Sequence, residues 1–276
     1  MADDDGPLTN ADETDGPLMR NKDFGAPSLF QPQNLLREAR RQLGLPEVAI
    51  PEVCLLDPDG DIVRHLRSTG RGQRHPGWAC YHTEMWVADL NGMEIGVVGL
   101  AVGASFAVLV AEQLSAGGAE LIVSITSAGQ IRPLGDPPYF VLITKALRDE
   151  GTSLHYQPAS DWSYLAPDLE RLLVPALRDL SEPVLPGVSW TTDAPYRETR
   201  VAIDAAEAAG IDCVEMEAAA LYAYGVTRQR RIVCFAHITN SMAVNEYDFE
   251  KGAENGALSA LEITEATVRS LRPVQA

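Results

Sequence analysis

Residues 212–225 place two acidic side chains inside an otherwise apolar stretch, and this feature constrains the fold most. The segment is Asp-Cys-Val-Glu-Met-Glu-Ala-Ala-Ala-Leu-Tyr-Ala-Tyr-Gly. Side chains alternate in direction along a strand, so Glu215 and Glu217 are expected to share a cavity while Met216 faces the other way. The alanine-rich part favours a helix that ends at Gly225. The sequence therefore predicts a strand that runs into a helix, with both carboxylates at the junction.

A carboxylate in an apolar setting needs hydrogen-bond donors, and this requirement allows two interpretations of the junction. Sugar hydroxyl groups are well-matched donors to a carboxylate, so the first interpretation is a sugar-binding site. The second is an ordinary helix start, with the acids near the positive end of the helix dipole. The residues of the junction alone leave both interpretations open.

Three further motifs precede the junction, at residues 124–131, 151–156 and 191–196. Together with the Val-Glu-Met-Glu-Ala motif at 214–218, they resemble, in the same order, segments of the nucleoside phosphorylase superfamily. This family includes uridine phosphorylase, hexameric purine nucleoside phosphorylase and methylthioadenosine nucleosidase, and the segments at 151–156 and 191–196 are similar to those of uridine phosphorylase. The resemblance implies a three-layer α/β/α fold whose twisted mixed sheet forms a partial barrel.

The local patterns predict a series of elements that agrees with such an α/β fold. Asn91 and Gly92 form a strong two-residue hairpin signal between two strand-like runs. Periodicity and turn residues set the remaining elements. The predicted helices are 34–43, 106–114, 168–180 and 253–271, and the predicted strands are 48–56, 81–90, 93–98, 121–126, 139–146, 184–192 and 231–238.

Length and composition fit one large domain. The chain has 276 residues, of which 46% are hydrophobic and 22% are charged, so it can bury a sizeable core. Residues 1–28 are rich in Asp, Gly, Pro and Asn and are predicted to be a disordered acidic tail, which leaves 29–276 as a single catalytic domain. The cysteines have no metal-ligand spacing and are expected to be buried, reduced thiols. They are Cys54, Cys80, Cys213 and Cys234.

Charge and hydropathy exclude several classes of partner. The formal net charge is −17, which argues against DNA or RNA because polyanions are bound by clustered Lys and Arg. No apolar run approaches the roughly 18 residues of a membrane-spanning helix, and the N-terminus carries no basic and then apolar signal. We therefore expect a cytoplasmic enzyme that acts on a small molecule without a metal or other cofactor.

The resemblance also implies roles for individual residues in cleaving a ribosyl N-glycosidic bond. Glu217 would grip the 2′- and 3′-hydroxyl groups, Met216 would pack against the sugar, Ser127 would help to place the nucleophile, and Asn240 would stabilise charge on the departing base. Because Asn cannot donate a proton as a general acid, a pyrimidine-like base is expected rather than a purine. The base would be stacked on Tyr196 and hydrogen-bonded by Arg197. The other predicted substrate-binding residues are Glu215, Thr126, Gly129, His155, Gly103, Tyr81 and His82.

The residues expected to bind phosphate differ from those of the phosphorylases. The positions of three phosphate-binding arginines are held here by Gly60, Tyr81 and Ser124. A phosphate site would therefore have to be rebuilt from the basic segment at 64–75 and from the glycine-containing turn at 99–105, whose backbone N–H groups form a potential anion cradle. The basic segment is predicted to be a flexible loop that contacts an anion, or else an ordinary solvated loop.

Three functions follow from this pattern. The first is a phosphorylase with a rearranged site and phosphate as co-substrate; the second is a nucleosidase that uses water. The third is a nucleoside-binding or biosynthetic protein that keeps the fold without phosphorolysis. Members of the family assemble as dimers or trimers of dimers, so the resemblance implies a homodimer or homohexamer with sites at the dimer interface.

Overall fold

The structure, a computed structural model, describes residues 16–241 and 251–271, which contain ten strands in one mixed sheet. The strands are β1 (Val53–Asp57), β2 (Gly72–Arg74), β3 (Met85–Asp89), β4 (Glu94–Gly99), β5 (Leu121–Gln130), β6 (Tyr139–Asp149), β7 (Trp162–Tyr164), β8 (Val184–Thr192), β9 (Cys213–Glu215) and β10 (Arg231–Ser241). The helices are α1 (Pro32–Leu43), α2 (Asp61–Ser68), α3 (Ala104–Gly117), α4 (Pro167–Ala176), α5 (Arg200–Ala208), α6 (Ala218–Arg228) and α7 (Ala257–Leu271). Short 3₁₀ turns lie at Ser153–His155, Pro195–Arg197 and Ala253–Gly256.

The sheet closes on itself through five of its strands. Their order is β10, β6, β8, β9 and β5, and β5 pairs again with β10. Of the other five strands, β1, β4, β3 and β2 extend from β5 as an open, mixed sheet, and β7 pairs with β6. This barrel with helices around it confirms the predicted α/β class. It also makes β5 the strand that both the barrel and the open sheet share.

The apolar strands form the core for the reason that their composition suggests. Leu55, Val123 and Phe235 lie on the neighbouring strands β1, β5 and β10, and none of the three is exposed to solvent. Strands that are covered on both faces are expected to be continuously hydrophobic. The predicted hairpin is confirmed as well, because Asn91 and Gly92 join β3 to β4 with positive φ angles of 53° and 83°, as a tight two-residue turn requires.

The predictions for the regions of α2 and α6 are wrong in part. The basic segment at 64–75 is not a loop, because α2 covers residues up to Ser68 and β2 follows it. The arginines hide an amphipathic pattern in which Ile62 and Leu66 are buried. Helix α6 also does not end at Gly225: it continues to Arg228 and is capped by Gln229 at φ 53°, where a left-handed residue commonly ends a helix.

The N-terminal region is described only in part. Residues 1–15 lie outside the described residues, so the predicted disordered tail and the single domain after it stay predictions. Residues 16–31 run as turns and bends up to α1, and the ammonium group of Lys22 lies 2.6 Å from Nδ1 of His155. Across the described part of the chain, no helix has the length and apolar character needed to cross a membrane. The four cysteines are free and buried, as predicted.

Candidate active site

The junction between β9 and α6 is a strand that runs into a helix, as predicted, but the two glutamates do not sit on one continuous strand. Strand β9 ends at Glu215, and Glu217 occupies the N-cap position of α6. Glu215 is 3% exposed and Glu217 is 1% exposed. The Glu215 carboxylate accepts the backbone N–H of Glu217 at 2.7 Å, and its charge contributes to the raised pKa of Glu217.

Glu215 holds the start of α6. One carboxylate oxygen accepts the N–H groups of Glu217 and Ala218, both at 2.7 Å. The other oxygen accepts the hydroxyl groups of Ser189, at 3.0 Å, and of Thr191. Burial raises the pKa of Glu215, and these hydrogen bonds oppose the effect. The carboxylate is therefore fully engaged within the protein, as a side chain that caps a buried helix start should be. Its predicted contact with substrate stays a prediction.

Replacing Glu215 with alanine is expected to destabilise the fold by about 3–5 kcal/mol, because a helix cap is lost and two buried hydroxyl groups lose their acceptor. Urea unfolding of the purified variant measures this change. Glu38→Ala is a matched control on α1, because Glu38 carries only exposed ion pairs, which contribute little. Equal stabilities of the two variants would contradict the assigned capping role.

Glu217 differs from Glu215 because one of its oxygens makes no regular hydrogen bond. Its Oε1 accepts the N–H of Gly103 at 2.7 Å, whereas Oε2 is buried without a hydrogen bond of regular geometry; the hydroxyl group of Thr126 lies close enough to lower the pKa of the carboxyl group. Burial, and then the charge of Glu215, raise the pKa of Glu217 to about 8. Gly103 has φ 87°, which favours glycine, and a Cβ built on it would lie 4.0 Å from the methyl group of Met216. A buried oxygen without a regular hydrogen bond is costly, so a donor from a bound ligand would stabilise it.

A third carboxylate lies at the end of β1 and was not predicted. Asp59 accepts two hydrogen bonds from Ser127, one from the backbone N–H at 2.8 Å and one from the hydroxyl group at 2.5 Å. Strands β1 and β5 are parallel neighbours, so their carboxyl ends meet at one edge of the sheet. The negative charge of Asp59 also raises the pKa of Glu217. Asp59 therefore belongs to the same site as Ser127 and Glu217.

The loop that carries Asp59 is flanked by two further aspartates, Asp57 and Asp61. Asp57 accepts the N–H groups of Gly60 and Val63 at 3.1 and 2.9 Å. Burial raises the pKa of Asp57 to about 7, and the charges of Asp59 and Asp61 add to this effect. Asp61 is bound by Lys251 at 2.6 Å. Since Asp61 is paired with Lys251 and Arg64 and Asp57 is buried, the carboxylate that an inorganic anion would meet here is Asp59, which disfavours its binding.

A cavity of about 20 Å³ lies beside these aspartates, a volume that holds about one water molecule. Its wall includes Asp59, Thr126 and His237. The ring of His237 stacks on Phe140 with the centroids 4.3 Å apart. Burial, and then the charge of Lys251, lower the pKa of His237 to about 4. At neutral pH the wall of the cavity therefore contains a neutral imidazole.

Three of the four arginines of the basic segment have other partners. Arg64 lies 2.6 Å from Asp61, Arg67 stacks over Trp86 at 5.0 Å, and Arg74 pairs with Glu84 at 3.0 Å. Residues 99–105 form the turn that delivers the N–H of Gly103 to Glu217. The two parts of the chain expected to rebuild a phosphate site are thus largely engaged within the protein.

Several other predicted site residues are placed by the backbone or lie apart. Thr126 is 7% exposed, and Gly129 pairs with Val214 of β9. Residue Asn240 pairs with Gly129 in the β10 register, and its side chain lies outside the described part. Tyr196 is 99% exposed in the turn Pro195–Arg197. Their predicted contacts with substrate stay predictions.

The residues 81–82 were expected on the first strand of the hairpin, but β3 begins only at Met85. The hydroxyl group of Tyr81 donates to Gln42 at 2.8 Å, and the ring of His82 lies edge-on to Phe106, with the centroids 6.2 Å apart. His155 lines a larger cavity, of about 610 Å³, at the far ends of α3 and α6. Neither Glu217 nor Asp59 lines that cavity.

Comparison with known proteins decides the family. The family model described as "Phosphorylase superfamily" matches residues 54–272, which is most of the chain. The chain belongs to the phosphorylase superfamily. It is therefore an enzyme of the nucleoside phosphorylase, glycosyl-transferring type, as the four motifs predicted.

Two characterised relatives of this phosphorylase-superfamily enzyme are distant in sequence. A guanosine phosphorylase of Halorubrum lacusprofundi is 26% identical over 171 residues, which cover 61% of this chain and 68% of the relative. A uridine phosphorylase of Thermococcus kodakarensis is 25% identical over 230 residues, which cover 74% of this chain and 82% of the relative. At this distance the residues of the site carry more information about the reaction than the names of the relatives.

Proposed function

We propose that this enzyme cleaves the N-glycosidic bond of a nucleoside and uses water, not phosphate, as the acceptor. The observation that carries the proposal is that the Asp59 carboxylate accepts hydrogen bonds from the N–H and O–H groups of Ser127. The two Ser127 groups that could donate hydrogen bonds to a bound anion already donate to this carboxylate of the protein. The bound carboxylate and the acidic loop around it favour a neutral acceptor.

The sugar half of the site is assigned to Glu217. Its buried Oε2 makes no hydrogen bond of regular geometry within the protein, and a ribose hydroxyl group is a suitable donor. Hydroxyl donors favour the ionised carboxylate, so sugar binding opposes the burial that raises the pKa of Glu217 to about 8. Met216 packs against the sugar, and Tyr196 and Arg197 contact the base.

In the proposed reaction, Asp59 accepts a proton from the attacking water as the water oxygen bonds to the anomeric carbon. The C–N bond breaks, and its electron pair stays on the base nitrogen, which is then protonated from solvent. Carboxylates near the sugar stabilise the positive charge that develops on the ring. The products are the free base and the free sugar, so no sugar phosphate forms.

Phosphorolysis is the second candidate, and the names of both relatives favour it. Phosphate would have to displace Asp59 from Ser127 and then bind there, beside Lys251, whose ammonium group lies 3.5 Å from the Asp59 carboxylate. The names also favour a nucleoside as the substrate of either reaction, one with a purine base and one with a pyrimidine.

The test is an incubation of purified enzyme with uridine, guanosine, inosine, adenosine and methylthioadenosine, each with and without phosphate. We expect at least one base to be released at the same rate in both conditions, together with free sugar. Chromatography of bases and sugars measures this outcome. Release that requires phosphate and yields sugar 1-phosphate would replace water with phosphate as the acceptor, and no release from any substrate would favour a repurposed fold.

A further inference from the structure

Lys251 contacts the aspartates beside Ser127, although it lies in a distant part of the sequence. Its ammonium group lies 2.6 Å from Oδ2 of Asp61 and 3.5 Å from Oδ2 of Asp59. The side chain is only 16% exposed. Lys251 therefore bridges two aspartates of one loop, although it lies about 190 residues further along the chain.

Lys251 and Arg64 hold the same aspartate in different ways. Arg64 binds the other oxygen of Asp61 at 2.6 Å, and it also donates to the main-chain carbonyl group of Asp59 at 2.9 Å. Lys251 instead lies against the Asp59 carboxylate, through the same oxygen that accepts from Ser127. Arg64 thus fixes the backbone of the loop, whereas Lys251 acts on the carboxylate itself.

Without a cation at this point, the loop would concentrate like charges. Asp57, Asp59 and Asp61 lie within five residues, and Asp57 is almost fully buried. Like charges at such short range push one another apart or take up protons. A partly buried ammonium group is screened less by solvent than a surface lysine. Removal of the Lys251 ammonium group should therefore change the position of the Asp59 carboxylate.

We propose that Lys251 is a positioning residue for the glycosidic reaction. It keeps the Asp59 carboxylate hydrogen-bonded to Ser127, where the carboxylate faces the attacking water. This inference rests on the proposed function, in which Asp59 takes the proton of the attacking water. The other titratable or charged groups around Asp59 come from β1, α2, β10 and the start of α6. They are Asp57, Asp61, Arg64, His237 and Glu217.

The test compares Lys251→Gln and Lys251→Arg with the matched control Arg64→Gln. For Lys251→Gln we expect kcat to fall about 10- to 100-fold, as for a displaced catalytic group, with a small change in KM. We also expect the acid limb of the kcat profile to move to higher pH, because a nearby positive charge opposes protonation of a carboxylate. Lys251→Arg should restore most of kcat, and Arg64→Gln should leave the acid limb in place.

Crystal structures of Lys251→Gln and Arg64→Gln give a second result that does not depend on activity. We expect the Asp59 carboxylate to leave Ser127 in Lys251→Gln and to remain on it in Arg64→Gln. If Asp59 stays on Ser127 in both variants, or if both show the same pH profile, Lys251 is only a structural contact and the inference is wrong. A wild-type enzyme that releases no base would overturn the proposed function, and the two crystal structures would still decide the role of Lys251.

Discussion

Replacing Glu217 with glutamine is expected to lower kcat/KM by about 10²–10³ while making the protein more stable at alkaline pH. The variant keeps an oxygen for the Gly103 N–H but loses the charged acceptor that the proposed function assigns to the ribose. The loss in rate should appear with every nucleoside that the wild-type enzyme cleaves, because the sugar is common to them.

The change in stability has a defined sign. The folded-state pKa of Glu217 is raised from 4.5 to about 8, so the folded protein holds a proton that the unfolded chain releases. This contribution to stability is complete below pH 4.5 and is lost as the pH rises through about 8. Glutamine cannot ionise, so the variant should gain up to about 5 kcal/mol over the wild type above pH 8, less about 1–3 kcal/mol for its unpaired amide group.

Urea unfolding at pH 4.5, 7 and 9 measures the stability, and base release measures the activity. Glu150→Gln is the control, because Glu150 is also buried with one oxygen that lacks a partner, yet it lies after β6, where it binds the N–H groups of Thr152 and Ser153. That control should retain full activity. A Glu217→Gln enzyme with wild-type kcat/KM would rule out the ribose role.

The sequence predicts the elements of this fold well where local pattern and tertiary position agree. Asn91 and Gly92 specify a turn that no distant contact needs to create, and the apolar run of β5 is buried on both faces. The loop prediction for residues 64–75 was wrong because the many charged residues mask the pattern of a helix. The buried positions of that helix, such as Leu66, can be recognised only once the helix is packed in the fold. Periodicity alone does not show which partner a short helix will find.

The sequence predicts the buried position of the two glutamates, but it does not predict that Asp59 lies beside Ser127. The two glutamates stand together in sequence, and their apolar surroundings already indicate buried acids. Asp59, Ser127 and Lys251 are separated by 68 residues or more, and only the parallel pairing of β1 with β5 brings the first two together. The signal that remains is local: an Asp-Pro-Asp-Gly-Asp run stands where the resembling phosphorylases carry a phosphate-binding arginine.

Replacing Asp59 with alanine is expected to lower the rate of base release by about 10²–10⁴, the usual contribution of a general base, and formate should restore part of it. The substitution removes the carboxylate but leaves its donors, the N–H and O–H of Ser127 and the ammonium group of Lys251. A small free carboxylate fits the same set of contacts and supplies the same basic oxygen. The rate of the variant is measured against formate concentration at constant ionic strength.

The same variant separates the two acceptors, because it removes the negative charge that opposes phosphate at Ser127. If Asp59 excludes phosphate, phosphate should stimulate or inhibit Asp59→Ala at concentrations that leave the wild-type enzyme unchanged. Asp89→Ala is the control, because Asp89 also accepts a backbone N–H, from Gly92 in the hairpin turn, and formate should not affect it. An Asp59→Ala enzyme that retains the wild-type rate, with no response to formate, would mean that the carboxylate on Ser127 takes no part in the reaction.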